Sequence, residues 1–267
     1  MERYSCIRCG NKRFYRVRRG KKRCKNCGYE FTPWLIEGIR LRKKDWENII
    51  EWFLLEQSGT WIAERMGLGE NQTYQVLQRI RKVITKDVPD IFTETVEVDE
   101  TYLGGQKKNK NKKQLRKEKE LFGKESKRGF GTTKQPVFGI LCRSGKVFAR
   151  LVEDTRARDL IPIITKKVRP GTKVCSDTYN SYTGLAAKGY IHRTVEHREK
   201  EYVKGKNHIN GLEGFWGYLK RKLAAKGGVR RRYLYLFLGE YVWRYNNRNL
   251  DTREQIKRII ELLKFSG

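Results

Sequence analysis

Residues 95–105 read TVEVDETYLGG, and their period decides the fold. The chain before them repeats at helical spacing. From Thr95 it alternates, so that Val96 and Val98 point to one side of an extended strand and Glu97 and Asp99 to the other. A carboxylate on a strand is ordinary by itself and becomes informative only with partners, so the reading extends outward from Asp99.

Downstream, residues 106–135 hold ten lysines and two arginines with little periodicity, which reads as a mobile basic surface loop able to follow phosphate. PVFGILCRSGKVFARLVED then gives two β-rich runs joined at Ser144-Gly145, a hairpin signal. Residues 156–168 carry Leu160, Ile161 and Ile164 at helical spacing, GTKVCSDTYNSY reads as a short buried strand ending at Asp177, and GYIHRTVEH as a further strand. In NHINGLEGFWGYLKR, residues 207–221, Leu212, Phe215, Trp216, Leu219 and Leu223 fall on one side of a helix, with Asn210, Glu213, Gly217, Lys220 and Ala224 opposite. The succession strand, strand, strand, helix, strand, then a late helix, predicts an α/β domain of ribonuclease H-like type. Such a fold brings Asp99, Asp177 and Glu213 together near the middle of the sheet.

Upstream, CIRCG and CKNCG place Cys6, Cys9, Cys24 and Cys27 in two knuckles fourteen residues apart, each followed by a glycine. Each knuckle aims two thiolates at one tetrahedral ion, so structural Zn²⁺ is expected, with a redox pair as the alternative. Fewer than about forty residues need such a metal to fold. Cys142 and Cys175 lie in apolar runs and read as core. Between the knuckles and Thr95, KDWENIIEWFLLEQ and the two helical runs flanking Gly67 to Gly69 predict three helices, with Thr60 and Asn71 as N-caps. A tight glycine turn before the last helix suggests a helix-turn-helix, with Gln72, Tyr74, Gln75, Gln78 and Arg79 toward the major groove; a three-helix spacer is the alternative. The expected domains are a zinc ribbon at 1–36, a helix-turn-helix domain at 37–90, the catalytic domain at 91–250 and a C-terminal amphipathic helix at 251–267, packing on the domain or on a second protomer.

Charge weighs on all of this. The 267 residues carry 60 Lys and Arg against 30 Asp and Glu, a formal net charge of +30, which favours a polyanionic partner. A basic structural protein of ribosomal type fits the same number. No signal-peptide core and no long apolar run occurs, so an intracellular, nucleoid-associated location without a membrane partner is expected. Three acids gathered in so basic a chain call for a cation, and oxygen ligands suit Mg²⁺ or Mn²⁺. Two such ions would serve phosphodiester chemistry, with Lys220 against a phosphate. Three unrelated surface acids are the plain alternative.

VEVDETYLGG, SDTYNSY and HINGLEGFWGYLKR together resemble the three signature blocks of DDE transposases of prokaryotic insertion sequences, in the ISXO-like branch with an N-terminal zinc ribbon and a lysine after the last acid. RGFGTTKQPVFG and YVWRYNNR extend the resemblance over nearly the whole chain. It implies metal binding by Asp99, Asp177 and Glu213, DNA contact by Lys220, and recognition of terminal inverted repeats in double-stranded DNA by the ribbon and helix-turn-helix. It also implies strand cleavage at the element ends, joining of the freed 3′ ends to target DNA, and a dimer or larger assembly. In this branch the third acid is sometimes asparagine or histidine, which brings Asn210 and His208 into view beside Glu213. Glu97, Glu100 and Glu196 read as supporting or solvated acids. A metal-dependent nuclease or resolvase of the same fold, and a noncatalytic DNA-binding relic, are the other readings.

Overall fold

The computed structural model describes residues 6, 8–18, 21–31, 39, 41–105, 111–122, 132–177, 180–194 and 210–264. The chain divides into two compact units, one of residues 1–83 with 251–267 and the other of residues 84–250.

The first unit opens with a small antiparallel sheet of β1 (Phe14–Arg16), β2 (Lys22–Cys24) and β3 (Glu30–Phe31) in that order. Three helices follow: α1 (Lys43–Leu54), α2 (Gly59–Met66) and α3 (Glu70–Ile84). Trp46, Ile49, Ile50 and Phe53 bury one stripe of α1, as their three-four spacing requires. Ser58, rather than Thr60, caps α2, its hydroxyl accepting from Trp61 N at 3.1 Å. Gly67 ends that helix in the left-handed region at φ 62, where a side chain would be strained. Asn71 lies inside α3, whose first turn bonds back to Gly69 through Thr73 N at 3.0 Å. The last helix, α8 (Thr252–Lys264), buries Ile259, Ile260 and Leu263 and packs on α1.

The second unit is built on a five-stranded mixed sheet. Its strands are β4 (Val96–Leu103), β5 (Gln135–Cys142), β6 (Val147–Leu151), β7 (Lys173–Ser176) and β8 (Ile191–Thr194), in the order β6-β5-β4-β7-β8. β4, β5 and β6 pair antiparallel, while β4, β7 and β8 run parallel. The first strand of the unit is therefore its centre. Val96, Val98, Phe138, Ile140 and Val174 form an apolar layer under α5 (Ala157–Lys167), where Leu160 and Ile164 point inward. The opposite face, with Val137, Leu141 and Val147, is covered by α6 (Asn210–Ala225) and α7 (Leu234–Asn246). This is an α/β sandwich of helices on both faces of a mixed sheet.

Within the basic stretch 106–135, residues Lys112–Phe122 form a helix, α4, where the sequence reading expects a loop. KKQLRKEKELF contains no glycine, proline or β-branched residue, and Glu120 stands four positions after Arg116. Helix propensity and that pairing outweigh the like charges.

The block YVWRYNNR closes the sheet edge. Asn246 on α7 accepts from Val147 N at 2.7 Å and donates to Val147 O at 2.8 Å, taking up backbone groups of the outer strand β6. Arg248 donates to Gly145 O at 3.0 Å, and a side chain on Gly145 would meet that guanidinium at 2.8 Å. Asn246→Ala is expected to lower stability by about 1–3 kcal/mol, because it leaves two buried backbone groups unpaired; denaturant unfolding measures it, and a change near zero would contradict this account of the edge.

Candidate active site

Asp99 lies in β4 at the middle of the sheet. β7 runs parallel beside it, with Val96 opposite Val174 and Glu97 opposite Cys175. Continued by two residues, that register brings Asp177, the first residue past β7, alongside Asp99 on the same face. Neighbouring strands are about 4.8 Å apart, so the two acids are adjacent through backbone pairing alone. Glu213 stands in the first turn of α6, exposed, on the helix that covers this face.

Electrostatics record the convergence. Burial pushes Asp99 up to about 6, and the charges of Asp177 and Glu213 add to that rise, against the opposing hydrogen bonds of the Glu100 backbone and Trp216. Glu100, on the opposite face of β4, is pushed up to about 8 by burial, with Asp99 and Asp177 contributing and the Tyr182 hydroxyl opposing. Tyr182 is fully buried, with its hydroxyl near the Glu100 carboxyl but not in good hydrogen-bond geometry to it. Lys220, two turns along α6 from Glu213, is lowered by burial and drawn up again by Asp99, with Lys134 opposing. Among the described residues, the carboxylate oxygens of Asp99, Asp177 and Glu213 do not all lie within 4.8 Å of one another, as the four thiols described below do.

Local hydrogen bonds hold the Asp99 side chain, the backbone at Asp177 and the Glu97 side chain. Asp99 Oδ2 accepts the indole Nε1–H of Trp216 at 3.0 Å. Ser176 Oγ donates to the Asp177 carbonyl at 2.7 Å and meets His192 Nε2 at 2.8 Å, so the imidazole is the donor in that second bond. Burial lowers the His192 pKa, consistent with a neutral ring. Glu97, 1% exposed, accepts the backbone N–H of Leu212 at 3.0 Å and so caps the start of α6. A carboxylate there meets the positive end of the helix dipole.

Of the residues expected from sequence, Asp177 and Glu213 act electrostatically on Asp99, and Asp99 on Lys220. His208 and Glu196 lie outside the described residues, as does the side chain of Asn210. Trp216, read as one more apolar residue of α6, was missed as a polar contact. The available signal was Gly139, an isolated glycine inside PVFGILC, which marks close approach of another group to the strand.

The N-terminal unit carries the other sites. The thiols of Cys6, Cys9, Cys24 and Cys27 lie within 4.8 Å of one another, the one such cluster of potential metal ligands among the described residues. Cys6 and Cys27 sulfurs are 3.6 Å apart and those of Cys9 and Cys24 3.5 Å. A tetrahedral zinc with bonds of about 2.3 Å needs sulfur–sulfur edges of about 3.8 Å, so the donor set fits that ion. Each knuckle closes alike, Gly10 N on Cys6 O at 2.7 Å and Gly28 N on Cys24 O at 3.1 Å, with both glycines at positive φ. Burial raises the Cys24 thiol, but backbone N–H groups of Cys27 and Asn26 outweigh it and bring it down to about 6. Cys142 and Cys175 are buried in the sheet unit. On α3, Gln72, Tyr74 and Gln75 are exposed while Gln78 and Arg79 are half-buried, and Gln78 Nε2 donates to the Tyr74 hydroxyl.

Residues 91–246 match the model of the ISXO2-like transposase domain, more than half of the chain. The chain belongs to this family of insertion-sequence transposases. It is 33% identical over 121 residues to an uncharacterized transposase-like protein of Haemophilus influenzae, covering 45% of this chain and 96% of that protein. It is 24% identical over 269 residues to an uncharacterized protein in transposable element ISH50 of Halobacterium salinarum, covering 96% of this chain and 87% of the other. Among solved structures, a Mos1 transposase paired-end complex aligns at 10% identity and a TM-score of 0.24, over 86% of this chain and 82% of that one. The family match spans Asp99, Asp177, Glu213 and Lys220.

The raised carboxyls make a stability prediction. Unfolded, Asp99 and Glu100 release protons near 3.8 and 4.5; folded, near 6 and 8. Between those values the folded chain holds more protons than the unfolded one, so stability falls as pH rises through the window. In buffer without added Mg²⁺ or Mn²⁺ and without chelator, the thermal midpoint of the wild type should decline more steeply than that of Glu100→Gln toward pH 8; parallel curves would show that Glu100 does not titrate as described.

Proposed function

We propose that the chain is a DNA transposase that cleaves at the ends of an insertion sequence and joins the 3′ ends to target DNA. The observation that carries this reading is the parallel pairing of β4 and β7, whose register, continued past Ser176, would set Asp177 beside Asp99, with Glu213 on the helix that covers this face. The strand order, with its central first strand and antiparallel hairpins to one side, supports a ribonuclease H-like catalytic domain.

Asp99, Asp177 and Glu213 would hold Mg²⁺ or Mn²⁺, and their oxygen donors suit such hard cations. Bound divalent ions supply activation of the attacking oxygen and relief of charge on the leaving one. Lys220 shares the face of Glu213 and the electrostatic reach of Asp99, so its ammonium is available to a phosphate beside the scissile bond. The net charge of +30 draws the DNA in and makes binding steeply salt-dependent. Cys6, Cys9, Cys24 and Cys27 would hold a structural zinc, completing a zinc ribbon whose sheet is too small to stand on apolar burial. With α2 and α3 as a helix-turn-helix, Gln72, Tyr74, Gln75, Gln78 and Arg79 would read the terminal repeats, and two ends joined in concert require a dimer or larger assembly.

A labelled duplex carrying the element end, incubated with a supercoiled target and Mg²⁺ or Mn²⁺, should be nicked at the end and joined to the target. Glu213→Gln should abolish both steps while end binding persists. Nicking without joining would indicate a nuclease, and binding without metal-dependent cutting a relic. The chain purified without chelator should carry about one zinc, and Cys24→Ser none by metal analysis; equal zinc in both would exclude the four-thiolate site.

A further inference from the structure

The contact between α6 and β4 involves both carboxylates of the strand's site face. Glu97 takes the Leu212 N–H at 3.0 Å, and Asp99 takes the Trp216 indole N–H at 3.0 Å. Two residues along a strand advance about 6.7 Å. Four residues along a helix advance about 6 Å, so the two bonds match in pitch and fix the register of the helix on the strand.

Glycine makes room at both points. Gly139 is the cross-strand partner of Asp99, and a methyl group there would lie 2.5 and 2.7 Å from Cζ2 and Cη2 of Trp216. The indole therefore rests on bare backbone of β5, opposite the acid that it reaches. A methyl group on Gly211 would meet Glu97 Oε2 at 3.0 Å. Glu213 lies on α6 between the two anchoring residues.

From this geometry we infer that Trp216 is a positioning residue for the metal-binding carboxylate of Asp99. The indole has one donor, spent on Oδ2, and with the backbone hydrogen bond from Glu100 it fixes the plane of the carboxylate. The same bond, with that of Glu97 to Leu212, ties the Asp99 strand to the Glu213 helix, so one N–H orients one acid and helps to place another. Gly139 is the permissive partner, because any side chain there displaces the ring. The inference rests on the proposed function above, in which Asp99 is a metal ligand.

Mn²⁺ titration of the full-length, zinc-replete protein tests it, with free Mn²⁺ followed by electron paramagnetic resonance in wild type, Asp99→Asn, Trp216→Phe and Gly139→Ala. Sites lost in Asp99→Asn should bind about tenfold or more weakly in Trp216→Phe and in Gly139→Ala, the scale seen when a group orienting a ligand is removed. Trp216→Phe, which keeps an aromatic ring in the apolar layer, should remain folded, its thermal midpoint lowered by no more than one lost hydrogen bond and a small cavity explain. If Trp216→Phe fails to fold, benzothienylalanine at position 216 retains the bicyclic shape, exchanges N–H for sulfur and makes the same comparison. Binding within about twofold of wild type would reduce Trp216 to packing and overturn the inference. A wild type with no Asp99-dependent Mn²⁺ site would instead remove the metal-ligand reading itself.

Discussion

The arrangement depends on holding one helix, α6, against the central strand at a fixed register. Two carboxylates on one face of β4 grip it, one through a backbone N–H at the helix start and the other through an indole one turn later. Burying acids is costly unless they are hydrogen-bonded. Here the helix terminus and the Trp216 side chain supply the donors, while Leu212, Phe215, Trp216 and Leu219 seal the apolar layer beneath. The polar face of the same helix then presents Glu213 and Lys220 away from that layer.

The sheet brings the remaining acid by a different route. Asp177 needs no side-chain device to reach Asp99, because parallel pairing of β4 and β7 already aligns the two strands. Ser176 and His192 then hold the turn just past β7. An acid from a neighbouring strand and an acid from a covering helix are thus located by backbone pairing in one case and by side-chain bonds in the other. The second is the more sensitive to a single substitution.

Much of this was legible in residue order. Alternation in TVEVDETY separated Glu97 and Asp99 from Val96 and Val98, and Ser144-Gly145 marked a hairpin that forms. The apolar side of α6 followed from three-four spacing. What escaped has physical causes. A helical period cannot distinguish a tryptophan that only packs from one whose N–H reaches a carboxylate. The charge of KKQLRKEKELF hid its helix propensity, and Ser58 competed with Thr60 as a cap, a choice decided by local backbone geometry. Pairing of α8 with α1 joins segments some two hundred residues apart, which no local pattern encodes.

That pairing has a temporal consequence. Translation delivers α1, with Trp46, Ile49, Ile50 and Phe53 needing cover, some two hundred residues before Ile259, Ile260 and Leu263. The sheet unit, contiguous from residue 84 to 250, is complete before α8 is made. Domains fold as their residues emerge. The sheet unit therefore has all its residues before the unit of the early helices does, which ties the final packing of those helices to synthesis through α8.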